Sequence, residues 1–347
     1  MVLLSIIVPF YNSENKCEAL LKTLAGCDRK YVEVICVDDG SQDGTMRLLA
    51  AFEKSAACSV TVLRQDNRGP GGARNAGFEA SSGEYIWFVD SDDDICLDVA
   101  LGFLIALQGK GYDAIDFNFF SRGGVVNTTL LPEGEYMQGN ATDVLLNKFG
   151  KIPSKIFRRS VFDDTGLRYP EYCIFEDIPL ESILPFLIKT LYKSNIVSYI
   201  HHEEHESVTR GKRTDKYFDR MLTAVWGYRT GKAISQDRGA HLDALKYHFV
   251  RLYLNNTIWL TRWPSRAWIE KARVMKKFRG DALGLDLEVN VISLINSQGF
   301  SRVHRIRWLA IWMFSYWLPS QDEFFRKKRL SAWGKPFVGP QTPVRFL

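Results

Sequence analysis

The first hundred residues alternate between short apolar runs and stretches whose apolar positions recur at helical spacing. Residues 3–9 are a compact apolar run that predicts a buried strand, and Cys17, Leu20, Leu21 and Leu24 share one face of a helix predicted over 14–24. A β-branched run at 32–37 predicts a second strand ending at Asp38-Asp39-Gly40-Ser41, with a helix over 45–54 behind it. A third strand at 60–63 leads into a glycine-rich turn and another helix, and a fourth at 85–89 ends on Asp90. This βαβαβαβ order predicts an α/β fold whose mostly parallel sheet carries helices on both faces. Ligands of such sheets gather beyond the carboxyl ends of the strands. The polar clusters fall there: Tyr11-Asn12, Asp38-Asp39, the stretch from Asn67 to Asn75, and Asp90 to Asp94 each follow a strand, so four loops are expected to face one crevice.

Further along, a helix is expected near 99–107, a strand near 114–119 and turns around 123–139. Beyond residue 210 apolar positions return at helical spacing, as in Phe218, Leu222, Val225 and Trp226 and again in Leu242, Leu245, Phe249 and Leu252, which predicts a mainly α-helical C-terminal region. A chain of 347 residues is long for one minimal domain, and the pattern divides it into a catalytic domain over 1–210 and a C-terminal region over 211–347. Charge divides at the same point. The overall +5 combines 20 basic and 30 acidic side chains in 1–210, net −10, with 25 and 10 in 211–347, net +15. Either the two parts face different partners, or the basic part docks on the acidic one. With 46% apolar and 24% charged residues, wholesale disorder is excluded.

Four carboxylates within five residues, Asp90, Asp92, Asp93 and Asp94, close the fourth strand. Like charges this close raise one another's proton affinity unless a cation joins them. A hard divalent ion takes one or two carboxylates together with phosphate and water, so a metal–diphosphate site is the expected use. Capping the next helix would need one Asp and not four. On the turn after strand two, one of Asp38 and Asp39 must point into the crevice, where a carboxylate accepts a hydrogen bond from a base N–H or a ribose hydroxyl; the alternative keeps both as turn and cap residues. The run Asn67-Arg68-Gly69-Pro70-Gly71-Gly72-Ala73-Arg74-Asn75-Ala76-Gly77 imitates a dinucleotide fingerprint, yet both possible frames require glycine at position 74, which is Arg74. Arg74 and Asn75 are expected to touch nucleotide or the acidic loop, with a structural Arg74–Asp pair as the competing reading.

Together, Ser5-Ile6-Ile7-Val8-Pro9-Phe10-Tyr11-Asn12, Val37-Asp38-Asp39-Gly40-Ser41, Ala73-Arg74-Asn75-Ala76-Gly77 and Asp90-Ser91-Asp92 resemble the family 2 glycosyltransferases of the GT-A fold, a group that builds bacterial surface polysaccharides. The resemblance covers residues 1–210 and implies a Rossmann-like GT-A sheet. It implies that Pro9, Tyr11 and Asp39 hold the base, commonly uracil, and that Asp90 and Asp92 hold the ribose and the metal, with Asp93 as an additional ligand. Phe175-Glu176-Asp177 is similar to the family's Glu-Asp element, which makes Asp177 the expected base for the acceptor proton, with Mn2+ or Mg2+ offsetting charge on the leaving diphosphate. Inversion at the anomeric carbon follows from that arrangement. On spacing alone, Glu176-Asp177 could instead begin the next helix. The segment Ser154-Lys155-Ile156-Phe157-Arg158-Arg159 and the stretch from His201-His202 to Arg210 are similar to further family elements, giving Lys155, Glu176, His202 and Arg210 as phosphate or acceptor contacts. His201, His202 and His205 rank behind the carboxylates as metal ligands.

The same resemblance implies a nucleotide-sugar donor, a UDP-sugar first, and a glycan or lipid-linked acceptor of capsule or lipopolysaccharide type, handled in the cytoplasm at the inner face of the plasma membrane. Between Arg302-Val303-His304-Arg305-Ile306-Arg307 and Arg326-Lys327-Lys328-Arg329 lie Trp308, Ile311, Trp312, Phe314, Tyr316, Trp317 and Leu318. Aromatic surface flanked by cations fits an anionic membrane surface; a helical packing region or a homo-oligomer contact is the equal alternative. The longest nearly apolar stretch, 308–318, falls well short of the roughly 20 residues that span a bilayer. The apolar N-terminal run lacks a basic segment before it and reads as a strand, not a signal peptide. Cys17, Cys27, Cys36, Cys58, Cys96 and Cys173 show no CxxC pair or repeated spacing and are expected to be buried, reduced thiols. A nucleotidyltransferase would carry a glycine-rich loop where Pro9-Phe10-Tyr11-Asn12 stands, and a binding protein without chemistry would have no use for both Asp177 and the acidic turn. No nucleic-acid partner is expected, because the basic C-terminal region contains no recognised module.

Overall fold

The computed structural model describes residues 2–28, 30–137, 139–202, 215–235, 239–254, 268–297 and 302–333, with Lys335, Phe337 and Gly339. Strand β1 (Leu4–Phe10) lies inside a ten-stranded sheet. β2 (Val32–Asp38) and β4 (Tyr85–Phe88) flank it in parallel, and β3 (Ser59–Arg64) adds in parallel beyond β2. Helices α1 (Glu18–Ala25), α2 (Thr45–Ser55) and α3 (Gly69–Ala80) make the crossovers. α1 begins later than its apolar face alone predicts, because Lys16 and Cys17 donate their N–H groups to the Ser13 carbonyl and close a turn first.

Past β4 the sheet becomes mixed. Here follow β5 (Asp94–Ile95), α4 (Leu97–Ala106), β6 (Ala114–Ser121), β7 (Gly124–Val126), β8 (Gly134–Tyr136), α5 (Asn140–Asn147), β9 (Lys155–Arg158), α6 (Ser160–Asp163), α7 (Leu184–Leu187) and β10 (Leu191–Ile200). The strand order is β3-β2-β1-β4-β9-β6-β10-β5. β9 runs antiparallel to both β4 and β6, and β10 is parallel to β6. The carboxyl ends of β1, β2, β3, β4, β6 and β10 therefore share one edge. The two-residue period of a strand sends Leu4, Ile6 and Val8 to the face covered by Leu20, Leu49 and Leu101 of α1, α2 and α4. It sends Ile7, Ile86 and Phe88 to the face covered by Phe78, Leu145 and Leu184 of α3, α5 and α7. Burial on both faces is why these strands read as continuous apolar runs.

The C-terminal part is helical, as its spacing predicts: α8 (Asp219–Ser235), α9 (Gly239–Val250), α10 (Trp268–Leu283), α11 (Val291–Ser297), α12 (Arg302–Ser315) and α13 (Asp322–Trp333). Met221, Phe249, Phe278, Ile295, Trp308 and Trp312 belong to a core of its own. Partly buried Ile178 and Phe186 pack against that core from the N-terminal side. Among the described residues, no helix is long and apolar enough to cross a membrane.

The cysteines correct one expectation. Cys17, Cys36 and Cys173 are buried thiols, but Cys27 and Cys58 form a disulfide with their Cα atoms 5.4 Å apart. The end of α1 meets the start of β3 there, and Ala57 donates its N–H to the Ala25 carbonyl. Their separation of 31 residues carries no sign of that meeting.

α3 lies close on β1 and β2 because Gly77 has no side chain: a Cβ there would sit 2.4 Å from Ile7 Cγ2 and 3.2 Å from Val37 Cγ2. Overpacking of this kind costs about 1–3 kcal/mol. Gly77→Ala should lower the unfolding free energy by that amount, read as a lower urea midpoint at an unchanged m-value, whereas an unaltered midpoint would mean the helix moves away at no cost.

Candidate active site

The loops after β1 and β2 are stitched together by hydrogen bonds. Asn12, with φ of 47°, donates its N–H to Ser41 Oγ at 2.9 Å, and its Oδ1 accepts from Gln42 N at 2.9 Å. Ser13 N donates to Thr45 Oγ1 at 2.8 Å. Tyr11 is 44% exposed beyond the end of β1, and Pro9 is partly exposed. The two adjacent aspartates diverge as strand alternation requires. Asp38 is fully buried beside Arg64 Nε at 3.4 Å, whereas Asp39 turns toward the β3–α3 loop, where its Oδ1 accepts from Gln65 Nε2 at 2.7 Å and Arg68 N at 2.8 Å. Burial pushes the Asp39 carboxyl up to about 6, against the pull of those donors.

The glycine-rich start of α3 allows two chain segments to touch. A Cβ on Gly71 would lie 2.1 Å from the Pro170 carbonyl oxygen. Side chains from α3 then bind the segment 169–177. Arg68 grips Glu171 with two nitrogens, Nε to Oε2 at 2.9 Å and Nη2 to Oε1 at 2.5 Å. Asn75 donates to the Tyr169 carbonyl at 3.0 Å and accepts the Tyr169 N–H at 2.9 Å, so its amide is committed to the backbone. Arg74, 7% exposed, donates through Nη2 to Asp90 Oδ1 at 2.7 Å and through Nη1 to Glu176 Oε1. The Arg74–Asp pair weighed as the competing reading is thus present, and it extends to a second carboxylate.

The acidic turn after β4 divides its members among different tasks. Asp93 is buried, with Oδ2 accepting from Tyr199 OH at 2.6 Å and Oδ1 meeting His201 Nδ1 and the His202 N–H, each at 2.9 Å. Both its oxygens face protein groups, so Asp93 anchors the turn to β10 and the residues just beyond it. Asp90 and Asp92 keep partly exposed carboxylates, Asp92 with Lys16 Nζ 3.7 Å away. Crowding by protein atoms pushes the Asp90 carboxyl up to about 6; Arg74 opposes that shift, and Asp93 and Asp92 add to it. Among the described residues no group of three or more His, Cys, Asp or Glu is placed to hold a metal ion. A hard cation that takes one or two carboxylates and completes its shell with phosphate and water asks less, and Asp90 with Asp92 fits that demand.

Glu176 is buried, and its proton affinity is raised by that burial and by Asp177, with Arg74 in opposition. Asp177 differs: it is partly exposed, and among the described residues its carboxylate has no hydrogen-bond or ion-pair partner. It stands just before a short 3-10 turn (Ile178–Ser182) that Leu180 N and the Asp177 carbonyl close at 3.0 Å. Lys155, expected near phosphates or acceptor, is instead fully buried, with Nζ 2.9 Å from Asp116 Oδ1 and over the Phe149 ring. A second buried lysine, Lys193, shares the same aspartate at 3.3 Å. Lys155 alternates onto the covered face of β9, which withdraws its ammonium from any ligand. His202 reaches the turn through its backbone, and Arg210 and His205 lie outside the described residues. Residue spacing does not point to Glu171, Tyr199 or Asp116, because each is a lone polar position in an apolar or turn sequence whose partner is remote along the chain.

Residues 5–176 match the family described as Glycosyl transferase family 2. Over 176 residues the chain is 30% identical to the poly(ribitol-phosphate) beta-N-acetylglucosaminyltransferase TarS of Staphylococcus aureus, a match covering 49% of this chain and 30% of that one. It is 30% identical over 234 residues to the succinoglycan biosynthesis protein ExoO of Rhizobium meliloti, covering 63% of this chain and 66% of the relative. The chain therefore matches less than a third of the length of the S. aureus relative. A crystal structure of S. aureus TarS 1–349 in complex with UDP-GlcNAc has a TM-score of 0.69 to this chain at 19% identity, with 94% of this chain and 92% of that one covered, a likeness of fold. Through residues 5–176, which run from the β1 loop to the Glu176 pair with Arg74 and stop just before Asp177, the chain belongs to glycosyl transferase family 2.

Proposed function

We propose that the chain is an inverting glycosyltransferase that moves a sugar from a nucleoside diphosphate, UDP in the first instance, to a hydroxyl of a glycan or lipid-linked acceptor in cell-surface polysaccharide synthesis. The observation that carries this reading is the Arg74 bridge, which ties Asp90 after β4 to Glu176 beside an uncommitted Asp177, on the sheet edge where the Asp39 and Asp92 turns also lie. Its support includes the names of the matched relatives, one acting on poly(ribitol-phosphate) and one in succinoglycan biosynthesis. A structure of the S. aureus protein in complex with UDP-GlcNAc supports UDP as the carrier. In this reading residues 1–210 are the catalytic domain, and 211–347 face acceptor, membrane or another subunit.

Each group then has a task. Pro9, Tyr11 and Asp39 hold the base, Asp39 accepting from its N–H. Asp90 and Asp92 would hold Mn2+ or Mg2+, which when bound offsets charge on the departing diphosphate. Asp177 accepts the proton of the acceptor hydroxyl while that oxygen attacks the anomeric carbon from the side opposite the diphosphate. The new C–O bond forms as the bond to the diphosphate breaks, the nucleoside diphosphate leaves with the electron pair, and the configuration inverts.

A membrane-facing C-terminal region has its own support. Trp308 and Trp312 of α12 are buried, which accounts for part of the aromatic cluster as core. Val303, Ile306 and Met313 of α12, with Trp317 just beyond it, are 57%, 58%, 65% and 87% exposed and recur at helical spacing beside Arg302, Arg305 and Arg307. Anionic lipid attracts such a stripe with roughly 1 kcal/mol per nearby cation.

Three measurements test this function. Calorimetry with UDP should show tighter binding with Mn2+ than without, a gain that Asp92→Ala loses, while Asp177→Asn keeps UDP binding but loses roughly 100-fold or more of turnover on the best of a panel of UDP-sugars; full turnover in Asp177→Asn would assign the base elsewhere. Measured without metal, so that Asp90 does not enter, UDP affinity should fall as pH drops through about 6, because Asp39 protonates there and no longer accepts the base N–H. The sign follows from the raised value: the carboxylate persists only above about 6, and Asp39→Asn should flatten the profile. Liposomes rich in phosphatidylglycerol should co-sediment the protein at low salt and release Trp317→Ser; equal binding of that variant would remove the stripe from the membrane contact.

A further inference from the structure

The segment that carries Asp177 has an unusual backbone. Tyr172 and Phe175 have φ of 53° and 65°, the left-handed region that residues with a side chain seldom enter. Such conformations persist where the surroundings over-determine them. Here those surroundings are the C-terminal helices. Tyr172 donates its N–H to the Arg68 carbonyl at 2.6 Å, and its own carbonyl accepts from Arg329 Nη2 on α13. Ile174 donates its N–H to Asp219 Oδ2 at 3.1 Å, and the Arg220 guanidinium lies 3.9 Å over the Phe175 ring. Asp219, 2% exposed at the start of α8, also accepts from Arg329 Nη1 at 2.6 Å and from Trp333 Nε1 at 2.9 Å. One buried carboxylate thus ties the 172–177 segment to both ends of the C-terminal helical array. The same helix end presses on the nucleotide loop, since a Cβ on Gly69 would lie 3.2 Å from the Trp333 ring and 2.9 Å from the Cys173 carbonyl.

A buried charge is costly unless it is paired and hydrogen-bonded, and Asp219 has no task in the chemistry set out above. We propose that Asp219, with Arg329 and Trp333, is a positioning residue of the reaction: it holds the 172–177 backbone in the one shape that directs Asp177 at the acceptor hydroxyl. The C-terminal region is then part of the catalytic apparatus as well as a surface for partners. This proposal rests on the reading of Asp177 as the base. Misplacement of a base by an ångström costs turnover far more than it costs nucleotide affinity, since nucleotide is held by the other strand ends.

The full chain should be compared as Asp219→Asn, Trp333→Phe and Asp177→Asn. UDP release is measured with the best of a panel of UDP-sugars, water standing in for the acceptor, and kcat is expressed per UDP-binding site so that unfolded protein does not count. Asp219→Asn should lose roughly 10- to 100-fold in kcat, with UDP affinity and donor KM within about twofold of the parent. Trp333→Phe removes one hydrogen bond and keeps the carboxylate, so it should lose about threefold in kcat with a smaller fall in melting temperature than Asp219→Asn, which decides the matter if Asp219→Asn folds poorly. A crystal structure of Asp219→Asn with UDP should show Tyr172 and Phe175 out of the left-handed region. Unchanged kcat in both variants, a parallel loss of UDP affinity, or an unmoved 172–177 backbone would each overturn the positioning role. Activity in Asp177→Asn would overturn the base assignment itself, whereas an inactive Asp177→Asn beside a normal Asp219→Asn would sink the positioning alone.

Discussion

Arg74 on α3 bonds Asp90 at the end of β4 and Glu176 in the 169–177 segment, and the crevice depends on that bridge. Three chain segments distant in sequence meet at one guanidinium that water hardly reaches. Breaking a buried pair by removing one partner costs about 3–5 kcal/mol, because the other charge stays buried and unpaired. Arg74 serves two carboxylates at once, and its loss would leave Glu176 buried and unpaired beside the partly exposed Asp90. The pairing also leaves an excess of negative charge. One cation meets Asp90 and Glu176, with Asp92 and Asp177 close in sequence to each, which is in keeping with the metal and base roles proposed for them.

Flanking contacts give the bridge its rigidity. Arg68 on Glu171 and Asn75 on the Tyr169 backbone run alongside it, and glycines at 71 and 77 let α3 lie close enough for short polar side chains to reach. On the opposite wall, Asp93 joins the acidic turn to Tyr199 of β10. Asp90 and Asp92 therefore stay partly exposed while Asp93 fixes the turn that carries them.

The two halves of the chain, opposite in charge, meet through specific contacts and also leave charge unspent. Arg251 pairs with Glu181 and His241 lies 3.1 Å from Asp143, so part of the basic excess is matched within the molecule. Arg302 and Arg307 of α12 lie among exposed apolar side chains. Docking between the halves thus uses α9 and its end, whereas the exposed stripe lies on α12.

Local pattern made the four parallel strands, their helices and the helical C-terminal region legible, because burial on one face imposes a period that a short window records. It also put Asp38-Asp39 and the Asp90–Asp94 turn on one edge of the sheet, since strand ends in a parallel sheet point at a common edge, whereas Asp177 was marked only by the family resemblance. The same window made Lys155 look like a ligand contact and Cys27 and Cys58 look like free thiols. Whether a charge at a strand end faces crevice or core depends on what covers that face, and for Lys155 the cover is Phe149 and Asp116, both remote in sequence. Asp219, Arg329 and Trp333 carry no local mark at all, for an acid at a helix start and an arginine 110 residues later become one network only when α8 and α13 close over the 172–177 segment. Sequence by itself determined which elements form and which edge of the sheet carries the polar loops; tertiary structure decided which charges meet, because pairing depends on distance in space and on exclusion of water, neither of which spacing along the chain encodes.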